Sequence, residues 1–424
     1  MKDIENSRKE SPIKESPFLG LTGMGGGVSS LMWAGAAGIS PGLWMWGNNS
    51  GGELGQNDTV QRSSPVQVPG TDWGSPVDGV RINQLGYNGS PGGNSTLQTK
   101  TDGTLWGWGN NQYGMLGHNN ATSYSSPKQV GGDSNWAMGI SGAGLSWGVR
   151  TNGTLWTWGN NYFGCLGQNQ NGGSDYGYAP GPSSPMQVGT DTNWQAANQS
   201  ISLSTWTGGA VKTDGTLWMW GRLFQGNLGL NESGSGPAWN TGGRSSPTQV
   251  GTNNNWSRVI VGIDCTYAFK TDGTLWSWGT NAYGQLGLGE PRGYNKSSPT
   301  QIPSGSSAWT EFSNSYVSCL GVKADSTGWL WGYLDGGSPL SGWQSSPVQV
   351  PGTNWSSGYY DVRGANALKT DGTLWGWGEN QKGNAGTNNT TNYDSPQQVG
   401  SETDWPTNGM IGGTWNTHMA IKGE

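Results

Sequence analysis

Along most of the chain, apolar residues do not recur at helical spacing. They alternate with polar or small residues over a few positions and then stop at a glycine. The stretch "TDGTLWGWGNNQYGMLG" (101–117) shows the pattern: a turn dipeptide, a short apolar run with two tryptophans one residue apart, and a glycine-rich end. A period of two places Trp106 and Trp108 on one face of a strand and Leu105 on the other. Both faces then carry bulk, which suits a small sheet held between two neighbours. Asp-Gly or Asn-Gly between apolar runs predicts tight hairpins whose two central residues both take positive φ. Short strands and tight turns are therefore expected, not amphipathic helices.

The pattern repeats. W-x-W-G begins at Trp44, Trp106, Trp156, Trp218, Trp276, Trp329 and Trp375. A basic residue and a turn precede most copies: "KTDGTLW" from Lys100, Lys212, Lys270 and Lys369, "RTNGTLW" from Arg150, and a degenerate "KADSTGWLWG" from Lys323. A G-x-x-G loop follows at Gly52, Gly114, Gly164, Gly226, Gly284 and Gly383, and then "SSP" with a short "QV" strand, as at Ser63 and Ser245. One tryptophan closes each unit, at Trp73, Trp136, Trp194, Trp256, Trp309, Trp355 and Trp405. The glycines allow sharp reversal, and the proline suits the first residue or the edge of a strand.

Each unit reads as a four-stranded blade, since radial repetition buries both faces of every sheet. The last residues, "THMAIKGE", resemble the strand that precedes each turn, as in "TYAFKTDG" from Thr266. The first repeat, "PGLWMWGNN" from Pro41, starts at the missing half. The expected fold is all-β: a seven-bladed β-propeller of four-stranded blades over residues 41–424. Pairing of the C-terminal strand with the N-terminal strands closes it, and a non-globular arm over residues 1–40 precedes it.

The pattern H-x-A-x near "DG-x-LW-x-WG-N-N-x-x-GQLG" resembles the regulator of chromosome condensation repeat. The resemblance runs over residues 41–422, and its best copy is "KTDGTLWSWGTNAYGQLGLG" from Lys270. It implies a seven-bladed propeller. The founding members are guanine-nucleotide exchange factors for a small nuclear GTPase, so the resemblance also implies one functional reading: a soluble regulator of a small GTPase. No exchange-factor loop carries over residue by residue.

Composition narrows the chemistry. Glycine numbers 77 and tryptophan 27, while charged residues make up 11% and the net charge is −6. No lysine/arginine cluster exists, and residues 1–20 balance four basic against four acidic side chains, so no nucleic-acid partner is expected. Cys165, Cys265 and Cys319 stand apart as small apolar fillers, and His118 and His418 are too few for a histidine metal site. The carboxylates Asp102, Asp214, Asp272 and Asp371 are turn formers, replaced by Asn152 in one copy. The G-x-x-G loops precede strands, not helices, and so are not phosphate cradles. No enzyme, cofactor or metal is expected. Residues 20–39 contain seven glycines, which break both a signal-peptide core and a membrane span.

Residues 1–40 show no period of 2 or 3.6, yet carry Phe18, Leu19, Leu21, Met24, Leu31, Met32 and Trp33. Such side chains are unfavourable in water, so this arm is expected to order against a partner. Its "SPFLGLTGMGGG" resembles the anchoring arms of tailed-phage virion proteins. That resemblance implies a structural protein on the surface of a phage particle. Several copies would be anchored to tail or capsid subunits, with the propeller displayed for bracing or host contact. The long loops at 169–184, 230–246 and 289–298 place Tyr176, Tyr178, Trp239 and Tyr294 where aromatics could stack on a surface glycan. A sugar-binding module is the further alternative.

Overall fold

Each W-x-W-G run forms the third strand of an antiparallel sheet, because its alternating bulk needs a neighbour on both faces. In the computed structural model the described residues are 42–74, 95–142, 144–170, 181–234, 243–315, 317–334, 342–360, 364–405, 411–414 and 417–422. They belong to one unit, Gly35–Glu424. The expected arm, residues 1–40, lies outside them. Among the described residues stand seven antiparallel sheets, six of four strands and one of three, and the helical structure is a single 3-10 turn at Tyr162–Gly164.

The sheets are numbered here by their W-x-W-G strands: Gly42–Gly47, Leu105–Gly109, Leu155–Gly159, Leu217–Gly221, Leu275–Gly279, Gly328–Leu334 and Leu374–Gly378. The second sheet has three strands, and beside it Trp73 forms an isolated bridge with Lys100. In the fifth sheet the equivalent Trp256 begins a full first strand, Trp256–Val261, opposite Lys270 at the end of the second. In the first sheet the C-terminal strand Thr417–Lys422 pairs along all of Gly42–Gly47, with Trp46 opposite His418 and Trp44 opposite Ala420. Ile411–Thr414 pairs with the other edge of Thr417–Lys422 and completes that sheet. The chain ends are thus joined by backbone pairing, as the truncated repeat implied.

The hairpins differ from expectation. In "KTDGT" the Gly103 amide donates to Lys100 O and the Lys100 amide to Thr104 O, leaving a three-residue loop. Gly103 alone of the turn has positive φ, +81°, and Asp102 does not. This is a type I turn followed by a left-handed residue, not the two-residue turn that Asp-Gly by itself suggests. The reason lies in Thr104, whose amide and hydroxyl both donate to Asp102 Oδ1, at 2.9 and 2.6 Å. The proline of "SSP" also finds a more specific place than a strand start. In the second sheet Gly107 faces Lys128 and Gly109 faces Tyr124, so extra residues around Pro127 bulge from the outer strand Tyr124–Gln129. At an edge and in a bulge, a missing amide costs nothing.

Among the described residues seven apolar clusters sit between successive sheets. Trp108 packs backward with Leu43, Met45, Leu54 and Trp73, while Leu105, from the opposite face of the same strand, packs forward with Trp136 and Trp158. The split of the strand's two faces between two neighbours is as the alternation requires. Trp46 packs with Leu368 and Leu374 of the seventh sheet, with Val399 just after its last strand and with Trp405 beyond it, so the last sheet meets the first. Backbone contacts follow the same order. The Asn57 amide donates to Ser125 O, and the Asn388 amide to Ser63 O. At Gly383, φ is +80° and a Cβ would come within 2.5 Å of Ser63 Cα, so the loop can meet the next sheet only as glycine.

Candidate functional site

The antiparallel order sends the hairpins between second and third strands to one end of the sheets that have them, and the G-x-x-G loops with the first-to-second strand turns to the other. The hairpin end is a set of closed structural devices. Asp102 Oδ1 holds Thr104, and Thr104 Oγ1 in turn accepts from Trp106 Nε1 at 2.8 Å. The same relay recurs at Asp214, Asp272, Asp325 and Asp371, and at Asn152. Hydrogen bonds from these threonines hold the aspartate carboxyls below the usual carboxylate range. They are turn formers, as expected.

The basic residue before each turn has a role that sequence reasoning did not assign. Lys270 Nζ lies 4.9 Å from the Trp256 ring centre and 4.2 Å from that of Trp276. Lys100, Arg150, Lys212, Lys323 and Lys369 are held in the same way between a closing tryptophan and the first tryptophan of the pair. A cation between two indoles is a structural clamp.

The loop end is different. The residue just before the first glycine of the G-x-x-G loop is Tyr113, Phe163 and Tyr283 in the second, third and fifth sheets. In the fourth, where Gln225 takes that place, Phe224 stands one position earlier; all four aromatics are half-buried. Half-buried Trp206, in a first-to-second strand turn, meets Phe163 edge-on at 6.5 Å. Arg222 lies 4.8 Å from the Trp206 ring and 4.3 Å from that of Phe224, and its Nη1 reaches Asp264 at 3.3 Å. Burial raises the Asp264 carboxyl's pKa, and Arg222 offsets part of that. Farther round, Tyr283 lies 6.3 Å from Tyr333, and Tyr333 lies 5.5 Å from its cross-strand neighbour Trp343. Trp343 is 52% exposed, and the Arg292 guanidinium stacks 4.1 Å from its ring centre. An arc of aromatics with two arginines thus runs from the second sheet to the sixth.

Of the glycan candidates, Tyr294 is 63% exposed on the same loop as Arg292. Tyr176, Tyr178 and Trp239 lie outside the described residues, as do all the arm residues from Phe18 to Trp33. His118 is half-buried, 3.4 Å from Gly107 O and edge-on to Tyr124; burial keeps its ring below the usual histidine range. Burial pushes the Cys165 and Cys265 thiols up to about 12, and Cys319 rises as well. Among the described residues no three His, Cys, Asp or Glu side chains gather as metal ligands. What the arc offers chemically is flat, partly dry contact surface with fixed cations, the composition of binding hot spots.

Comparison with known proteins places the repeat. The regulator of chromosome condensation (RCC1) repeat matches residues 102–144 and 272–319. The Ultraviolet-B receptor UVR8 of Arabidopsis thaliana is 26% identical over 377 residues, which is 84% of this chain and 64% of that protein. The mitochondrial RCC1 domain-containing protein RUG3 of the same plant is 27% identical over 334 residues, 76% of this chain and 69% of RUG3. Among solved structures, yeast RCC1 (Prp20) bound to Kap60 superposes with a TM-score of 0.72 at 15% identity, over 97% of this chain and 96% of that one. Prp20p of Saccharomyces cerevisiae, described together with its binding to Gsp1p and histones, gives 0.71 at 15% identity over 91% and 92%. Human WBSCR16 gives 0.72 at 18% identity over 90% and 98%. These likenesses show an all-β propeller of small antiparallel sheets.

Proposed function

We propose that this chain, which carries RCC1 repeats, is a non-enzymatic protein-binding propeller of the regulator type, and that the aromatic arc takes its partner. We infer as well that its seven sheets are seven blades, the bridge at Trp73 marking the first strand of the three-stranded one. The observation that carries the binding reading is the run of half-buried aromatics on one end of successive sheets, with Arg222 and Arg292 stacked among them. Such side chains anchor protein partners because they bury large area at little conformational cost.

The partner class that the comparisons favour is a small GTPase or a protein of like size. Yeast RCC1 is described with the proteins Kap60, Gsp1p and histones. The virion reading rests on residues 1–40, outside the described residues, and none of the relatives named above supports it. The turn aspartates, the cations clamped between indoles and the buried cysteines all serve the fold, which supports a non-catalytic role.

The test is surface plasmon resonance on the full chain against a panel of small GTPases in GDP-bound, GTP-bound and nucleotide-free forms. Saturable binding is expected, weakened about tenfold or more by Trp343→Ala or Arg292→Ala. No binding across the panel would remove the GTPase class. Binding that both variants leave unchanged would remove the arc.

A further inference from the structure

On the rim of the propeller, between the outer strands of the second and third sheets, lies a cleft of about 410 Å³. Its walls include His118, Lys128, Asp133, Trp136, Arg150 and Ser184. A volume of this order accommodates a small ligand. Two of these residues depart from the repeat. The position after the G-x-x-G loop is Gln56, Gln168, Leu230, Leu288 or Thr387 elsewhere, and here it is His118. The position before the outer-strand glutamine is Val66, Met186, Thr248, Thr300, Val348 or Gln397 elsewhere, and here it is Lys128. Both departures fall in one cleft.

The polar groups in it are mostly donors. Lys128 Nζ donates to Tyr124 Oη at 2.8 Å, leaving further N–H bonds of the ammonium to offer. Arg150 Nη2 is held by Asp133 Oδ2 at 2.6 Å, while Arg150 Nε is buried without an acceptor. Trp136 is 1% exposed and its Nε1 likewise has no acceptor. The indoles of Trp194, Trp256, Trp309 and Trp355 share that condition, so the indole alone does not single out this cleft. The combination of an unsatisfied guanidinium N–H, an added lysine and an added histidine does. Asp133 is the one carboxylate in the cleft wall, and its half-exposed side chain is turned to Arg150 Nη2.

We infer that this rim cleft binds a small oxyanion, a phosphate or carboxylate group, with Lys128 and Arg150 Nε as its donors and His118 closing one side. Buried, unpaired donors of a cation are costly, and an anionic acceptor relieves that cost through charge-assisted hydrogen bonds. The inference goes beyond the partner-binding arc and does not depend on it.

The test is isothermal titration of the full chain with inorganic phosphate and, separately, with citrate, using glucose as the neutral control. Saturable binding of at least one anion below about 10 mM is expected, with none for glucose. Lys128→Met installs the residue found at Met186, and Arg150→Lys keeps the clamping charge while removing Nε; each should weaken binding about tenfold with unfolding midpoints unchanged. The anion that binds identifies the group. Absence of saturable binding for both anions overturns the inference, and so does affinity that survives both substitutions.

Discussion

The indole N–H of Trp46 donates to the backbone oxygen of Asn384 at 3.1 Å, across 338 residues of chain. The same bond joins other neighbouring sheets, as from Trp278 to Asn227 O at 2.9 Å and from Trp108 to Glu53 O at 2.8 Å. The join between the seventh and first sheets is therefore built like the others. Trp46→Phe and Trp278→Phe each remove one buried hydrogen bond between neighbouring sheets, at a cost of about 1 kcal/mol. Urea unfolding of the two variants should give equal losses. A harmless Trp46→Phe beside a costly Trp278→Phe would mean that the ring opens at this join.

The clamp at Lys270 should respond to charge more than to shape. Lys270→Met removes a cation that two indoles share, and is expected to cost about 1 kcal/mol. Lys270→Arg should be nearly neutral, since Arg150 fills the same place in the third sheet. Chemical denaturation of the pair decides it. Equal losses for both would assign the effect to packing.

Ser326 holds the left-handed turn position, at φ +61°, that glycine takes in the other hairpins, as at Gly273 with φ +77°. A side chain there is strained. Ser326→Gly should stabilise the protein by about 1 kcal/mol, and Gly273→Ser should destabilise it by a similar amount. Thermal melts that fail to move in opposite directions would contradict this account of the degenerate repeat.

Glu53 is 2% exposed in a G-x-x-G loop, and burial raises its carboxyl from the ordinary 4.5 to about 7 despite hydrogen bonds from Gly51 and Asn48. Because the folded value is the higher one, the contribution of Glu53 to stability is fully present below pH 4.5. It is lost as pH rises through about 7. The change is on the order of 3 kcal/mol by linkage. Glu53→Gln should remove this slope and gain on the wild type toward pH 8. Melting temperatures of both proteins from pH 5 to 8 provide the check, and parallel curves would refute the assignment.

The sequence by itself determined the architecture, because each cause is local. The alternation around Trp106 and Trp108 needs a neighbour on both faces. Glycine at positions such as Gly383 permits loop contact with the next sheet, and the half-repeat at each end can be satisfied only by mutual pairing. The turn chemistry was read in kind but not in type, since Asp-Gly alone does not reveal that Thr104 will hold Asp102 and lengthen the loop. Trp206 and Trp343 stand outside the repeated tryptophan positions, and these two mark the arc. What only the tertiary structure decided is which side chains meet. Arg222 reaches Trp206 and Phe224 because the turn and the loop share one end of a sheet. Lys128 and Arg150 line one cleft because adjacent sheets bring them together from 22 residues apart. Period and turn chemistry act along the chain, whereas a binding surface depends on distances across it.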